Sequence, residues 1–189
     1  MESLLTILEQ YSREITAIAV LALIVVIAGL AWYNRPLRRE RRHIKRAITR
    51  LGVKILSDIN LPDGVDGEIF IDYLVLTPED IKVISVKRYP GLIYGGEQLQ
   101  DWTQVIKNRN HNFPNPLYEM KLKIMAVKAI VPNVPVNGLT LFCDDSRFPT
   151  NKPEGVFNVR DIASKPEKKP VPPELLNSWE VLSKPLSTN

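Results

Sequence analysis

Apolar residues recur along this chain in three patterns. The first is continuous: from Ile15 to Tyr33 the run ITAIAVLALIVVIAGLAWY holds nineteen residues without a charge. At 1.5 Å rise per residue it is long enough for a membrane-spanning helix across a ~30 Å hydrocarbon core. The second pattern has helical steps. Ile44, Ala47, Ile48 and Leu51 recur every three or four positions, predicting an amphipathic helix from Arg39 that ends at Gly52. The third is rich in β-branched residues. Val53 to Leu61, Glu68 to Leu76 and Ile81 to Arg88, separated by Pro62-Asp63-Gly64 and Thr77-Pro78-Glu79-Asp80, predict a three-stranded meander. A loop with Pro90-Gly91 and Gly95-Gly96 and a polar stretch around Trp102 follow.

Asn115-Pro116 suits a helix start, because Asn caps free N–H groups and Pro is preorganised at the first helical position. The helix Pro116 to Ile130 would bury Leu117, Met120, Ile124 and Val127 and stop at Pro132. Gly138 to Cys143 and Gly155 to Arg160 read as two further strands. The order helix, three strands, helix, two strands implies an α/β fold with a mixed sheet flanked by helices and a parallel crossover. The division is residues 1–14, a short leading segment; 15–33, the span; 34–50, a basic juxtamembrane helix; 51–163, the α/β domain; and 164–189, a Pro-rich tail. After Pro173 the tail carries Leu175, Leu176, Trp179 and Leu182 on one face of a short helix. That face either docks on the domain itself or meets a protein partner.

Charge changes the picture only locally. The net charge is +4, but eight Lys/Arg against one acid lie between Arg35 and Arg50, and the rest of the chain after Arg50 is nearly balanced. Arg38, Arg39, Arg41, Arg42, Lys45 and Arg46 follow the apolar run closely, where a positive-inside bias operates. The residues before the run are net acidic, unlike a signal peptide's basic start, and Trp32-Tyr33 form an interfacial pair. The expectation is a single-pass protein of the cell (inner) membrane with its N-terminus outside and its C-terminal domain cytoplasmic. The same cations suit lipid phosphates of the bilayer or the backbone of DNA or RNA.

A single cysteine, Cys143, excludes an internal disulfide and a four-cysteine zinc site. The two histidines, His43 and His111, read as solvated, His111 in a polar loop beside Lys107 and Arg109. Cys143-Asp144-Asp145 reads as a buried thiol and a solvated turn. No glycine-rich loop precedes Lys-Ser/Thr and no G-x-S-x-G is present, so nucleotide hydrolysis and serine-hydrolase chemistry lack support.

On the second strand a carboxylate, Asp72, shares a face with Phe70 and Leu74; on the third, Ser85 and Lys87 share a face. Antiparallel pairing would let these polar groups meet, either as an Asp72–Lys87 ion pair or as a site. The stretch GEIFIDYLVLTPEDIKVISVKRYPGLIYGG, with Trp102 and NPLYE (Asn115 to Glu119), resembles the nuclease-related domain (NERD), a branch of the PD-(D/E)xK nuclease superfamily. The resemblance covers Glu40 to Cys143 and implies a restriction-endonuclease-like fold. It also implies phosphodiester hydrolysis in which carboxylates hold Mg²⁺ or Mn²⁺ and a lysine steadies the nucleophile or developing charge. Carried across, Asp72 is a metal ligand, Lys87 the catalytic lysine, and Glu40 the acid of the first helix. Glu119 stands where the family has Gln and could supply a second metal-binding carboxylate. Ser85 takes the acidic place of acid-x-Lys, and a neutral hydroxyl is a poor ligand for a hard divalent cation. Two functions follow: a membrane-tethered metal-dependent nuclease, or a catalytically inactive scaffold binding nucleic acid or protein.

Overall fold

The structure is a computed structural model describing residues 18–32, 35–62, 67–162 and 169–184. The chain divides into two compact units, Met1–His43 and Ile44–Asn189. In the first, residues 18–32 are helical, with exposed, uncharged side chains. Among the described residues no helix is long and apolar enough to cross a membrane. Residues 15–17 and 33 of the expected span lie outside the described residues, as does segment 1–14.

Helix α1, Arg35–Thr49, begins in the first unit, and its last turns belong to the second. Five strands form the main sheet: β1 (Lys54–Pro62), β2 (Glu68–Leu76), β3 (Ile81–Lys87), β7 (Val136–Phe142) and β9 (Val156–Asn158), in the order β1-β2-β3-β7-β9. The first three form the expected antiparallel meander, and β7 then adds parallel to β3. Of the turn between β1 and β2, Asp63 and Gly64 lie outside the described residues. Helix α2, Pro116–Ile130, belongs to the crossover that brings β7 back. The element order and mixed pairing agree with the sequence pattern.

A second sheet, β6-β5-β4-β8, stands where a loop and a polar stretch are expected: β4 (Gly91–Tyr94), β5 (Asp101–Ile106), β6 (Arg109–Pro114) and the short β8 (Ser146–Arg147). Its strands bury few residues, chiefly Ile93, Trp102 and Phe113, so their apolar alternation is thin. The β5–β6 turn, Lys107-Asn108, lacks glycine although both residues have positive φ, +47° and +63°. His111 therefore lies on a strand, paired with Gln104, and not in a loop. The last predicted strand is also shorter, ending at Asn158 and continuing as a 3-10 turn, Val159–Asp161.

Each face of the main sheet has its own core. On one, Leu74, Leu76, Ile81 and Val83 pack with Met120 and Val127 of α2 and with Leu175, Trp179 and Leu182 of helix α3, Pro173–Ser183. The apolar face of the tail helix is thus buried within its own unit. On the other, Ile44, Ala47 and Ile48 of α1 cover Val75, Ile84 and Leu141. An aromatic cluster of Trp102, Phe113, Phe142, Tyr89 and Phe148 joins the two sheets, with Trp102 stacked on Phe142.

Strict alternation fails near the middle of β2. Leu74 and Ile71, three residues apart, lie in the same core, as do Leu56 and Ile59 on β1. Between the latter pair is Asp58, whose φ is +56°. The reversal leaves Phe70 exposed while Leu74 is fully buried, correcting the shared face expected of Phe70, Asp72 and Leu74.

Candidate active site

Asp72 lies where β2 and β3 part. Their backbone pairing runs from Leu76–Ile81 to Tyr73–Ile84. One step further the carboxylate of Asp72 takes over, accepting from the Val86 N–H at 3.4 Å and from the Ser85 hydroxyl at 3.2 Å. Ser85 is 1% exposed. Two residues on, Lys87 ends β3 on the same face, and its ammonium donates to Glu119 Oε2 at 2.5 Å.

Glu119 reaches this point because the start of α2 is anchored. Asn115 caps the helix, accepting from the Leu117 N–H at 2.9 Å, while its amide donates to the carbonyls of Gly96, Glu97 and Leu99. Trp102 Nε1 donates to the Gly96 carbonyl at 3.0 Å. Gly95 lies against the indole: a Cβ there would come within 2.2 Å of Trp102 Cδ2. The Gly-Gly, Trp and Asn-Pro elements of the sequence form one structural unit that aims the first turns of α2.

One participant escaped sequence reading. Lys123, one turn after Glu119, is only 4% exposed. Its Nζ lies 2.7 Å from Glu119 Oε1, 3.1 Å from Ser85 Oγ and 3.5 Å from Asp72 Oδ2. The buried face of α2 accordingly comprises Pro116, Met120, Lys123, Ala126 and Val127, while Tyr118, Leu122 and Met125 are exposed. The apolar periodicity that predicts α2 passes over a lysine. The available signal was the four-residue spacing from Glu119, which puts both on one helix face.

Asp72, Ser85, Lys87, Glu119 and Lys123 therefore form a single network. Lys87 pairs with Glu119, and Lys123 bridges Glu119 to Asp72, so the anticipated Asp72–Lys87 pair is replaced by two lysines on two carboxylates. Burial raises the pKa of Glu119, but hydrogen bonds from Lys123 and Lys87 and their positive charges outweigh it and hold the carboxyl below its ordinary value. Counted at their formal charges, the two carboxylates and two lysines cancel. The oxygens that a divalent cation would need are turned toward the Lys123 ammonium. Among the described residues no group of three His, Cys, Asp or Glu could hold a metal ion.

Glu40 lies half-buried in α1, in the N-terminal unit. Arg39, Arg41, Arg42, Lys45 and Arg46 are exposed on that helix; Arg38 also belongs to it, but its side chain lies outside the described ones. Cys143 is a buried thiol outside any disulfide, and the Asp144 carboxylate accepts from the Arg160 N–H at 2.8 Å.

The nuclease-related domain matches residues 35–143, from α1 through the end of β7. An uncharacterized protein of Bacillus anthracis is 28% identical over 91 residues, which cover 47% of this chain and 43% of that protein. The chain thus spans less than half the length of this relative. No solved structure matches. With the match extending over more than half its length, and Asp72, Lys87 and Glu119 gathered at one point, the chain belongs to the nuclease-related domain (NERD) family.

Proposed function

We propose that this protein is a membrane-held, nuclease-related domain that binds nucleic acid on the cytoplasmic face without efficient phosphodiester hydrolysis. The observation that carries the reading is the position of Ser85. At the acidic place of acid-x-Lys this buried hydroxyl donates to Asp72 at 3.2 Å, so the position orients one carboxylate without adding another negative charge. Metal-assisted hydrolysis needs a cation to polarise the phosphate and activate water. A charge-balanced cluster attracts a divalent cation weakly. The exposed cations from Arg39 to Arg46 on α1 suit phosphate oxygens.

Membrane attachment is supported by the uncharged run Ile15 to Tyr33 and by the apolar exposure of residues 18–32, including Ile24, Ile27 and Trp32. An exposed apolar surface of that extent favours cover by lipid. The basic residues following it orient the domain toward the cytoplasm.

A second reading, residual Mg²⁺- or Mn²⁺-dependent hydrolysis, is favoured by one observation: Glu119 turns into the site and brings a second carboxylate near Asp72. Assaying the full chain on labelled single- and double-stranded DNA and RNA, with and without these ions, separates the two. The expected result is binding without cleavage. Ion-dependent cleavage abolished by both Asp72→Ala and Lys87→Ala would replace the binding reading with the hydrolase.

A further inference from the structure

We infer that the Lys123 ammonium is a built-in cation occupying the position in which the Asp72–Glu119 site would otherwise gather a divalent metal. This deepens the binding reading, because it explains how the site keeps paired carboxylates without requiring an ion.

Three observations carry it. Lys123 is nearly fully buried, and its Nζ touches an oxygen of each potential ligand: Glu119, Ser85 and Asp72. A buried lysine needs partners for its charge and its three N–H donors. Here three oxygens surround it, two from carboxylates. Ser85 also completes the arrangement electrostatically: an acid there would put a third carboxylate around two lysines. The hydroxyl donates to Asp72 while accepting from Lys123, linking the cation to its counter-ion. Finally, Lys87 is already paired with the other oxygen of Glu119, so a divalent ion added beside both lysines would leave the cluster with a net charge of +2. Such an ion could enter only by displacing Lys123.

The consequence is conditional metal binding: removing the Lys123 charge should open the site to a divalent cation. The probe is Mn²⁺ alone, added to the full chain in detergent micelles. Binding is followed by loss of the free-ion electron paramagnetic resonance signal, and folding by thermal melting. Wild type is expected to bind no more Mn²⁺ than Asp72→Asn and to melt at the same temperature with or without about 5 mM ion. Lys123→Met should melt lower in the absence of metal, recover part of the loss with Mn²⁺, and bind the ion at least about tenfold tighter than wild type. Lys123→Gln, which retains N–H donors but loses the charge, should show the same gain and serves if the Met variant does not fold. Adding Asp72→Asn to either variant should abolish the gain.

Mn²⁺ binding by wild type that Asp72→Asn removes would overturn the inference, as would Lys123 variants that bind no tighter than wild type. Neither readout uses nucleic acid. Failure of nucleic-acid binding would therefore defeat the functional proposal and leave the built-in cation standing, whereas these outcomes defeat the built-in cation whether or not nucleic acid binds.

Discussion

Glu119 and Asp80 show how individual ionisable groups are held in place. Asp80, 4% exposed, loses hydration, which raises its pKa; hydrogen bonds from Asn137, Lys82 and Thr77 more than compensate and leave it lowered. Asn137 Nδ2 and Lys82 Nζ each lie 2.8 Å from Asp80 Oδ2, and Thr77 Oγ1 lies 2.6 Å from Oδ1. These contacts close the β2–β3 turn and fasten it to β7, at the opposite end of the β2–β3 ladder from Asp72 and Ser85. Because the folded pKa values of Asp80 and Glu119 are depressed, their stabilising contribution is present above the unfolded carboxylate values. It is lost as pH falls through the folded ones. Melting temperature should consequently decline below about pH 4, and Asp80→Asn and Glu119→Gln should each flatten that decline. Thermal melts over an acidic pH series check this. At neutral pH, Asp80→Asn should cost about 1–3 kcal/mol, because it removes a charged acceptor from a buried network.

At the scale of elements, the second sheet supports the helix that supplies Glu119 and Lys123. Gly95→Ala would drive a methyl into the Trp102 indole, whose ring cannot yield without disturbing Phe142. The expected cost is about 1–3 kcal/mol by overpacking, read as a lower denaturation midpoint. The same variant should loosen Glu119 and raise amide exchange in the first turn of α2. The β5–β6 turn offers a change of opposite sign. Lys107 and Asn108 both adopt left-handed backbone conformations, for which Asn-Gly is preferred. The double substitution Lys107→Asn/Asn108→Gly should therefore stabilise the hairpin by up to about 1 kcal/mol, measured as an increase in melting temperature. This turn also explains why the hairpin was hidden in the sequence. No glycine marked it, and β6 buries only Phe113 among its six residues.

For the whole molecule, the tail helix and the uncharged run Ile15 to Tyr33 make different demands. Leu175, Trp179 and Leu182 are buried in the same core as Met120 and Val127 of α2, so Trp179→Ala should cost about 3–5 kcal/mol. Equilibrium denaturation of the full chain measures that loss. If the apolar run anchors the protein, membranes should retain the full chain at about 1 M salt, where contacts of the basic residues alone are screened. Release by salt would instead assign the attachment to Arg39, Arg41, Arg42, Lys45 and Arg46. Either outcome is read by sedimentation of membranes followed by detection of the chain.

The sequence by itself determined the meander, the crossover helix and the family, because each is written locally. β-branched runs end at turn residues, Asn115-Pro116 both caps and starts a helix, and the nuclease-related elements follow one another in order. It also identified Asp72, Lys87 and Glu119 as partners, although not who pairs with whom. Tertiary structure decided that Lys87 pairs with Glu119 and Lys123 with both carboxylates, because strand divergence at Asp72 and the rotation of α2 bring 51 positions of separation to a 3.5 Å contact. A lysine in a helical pattern ordinarily signals solvent. Only the convergence of three oxygens from three different elements makes burying this one favourable.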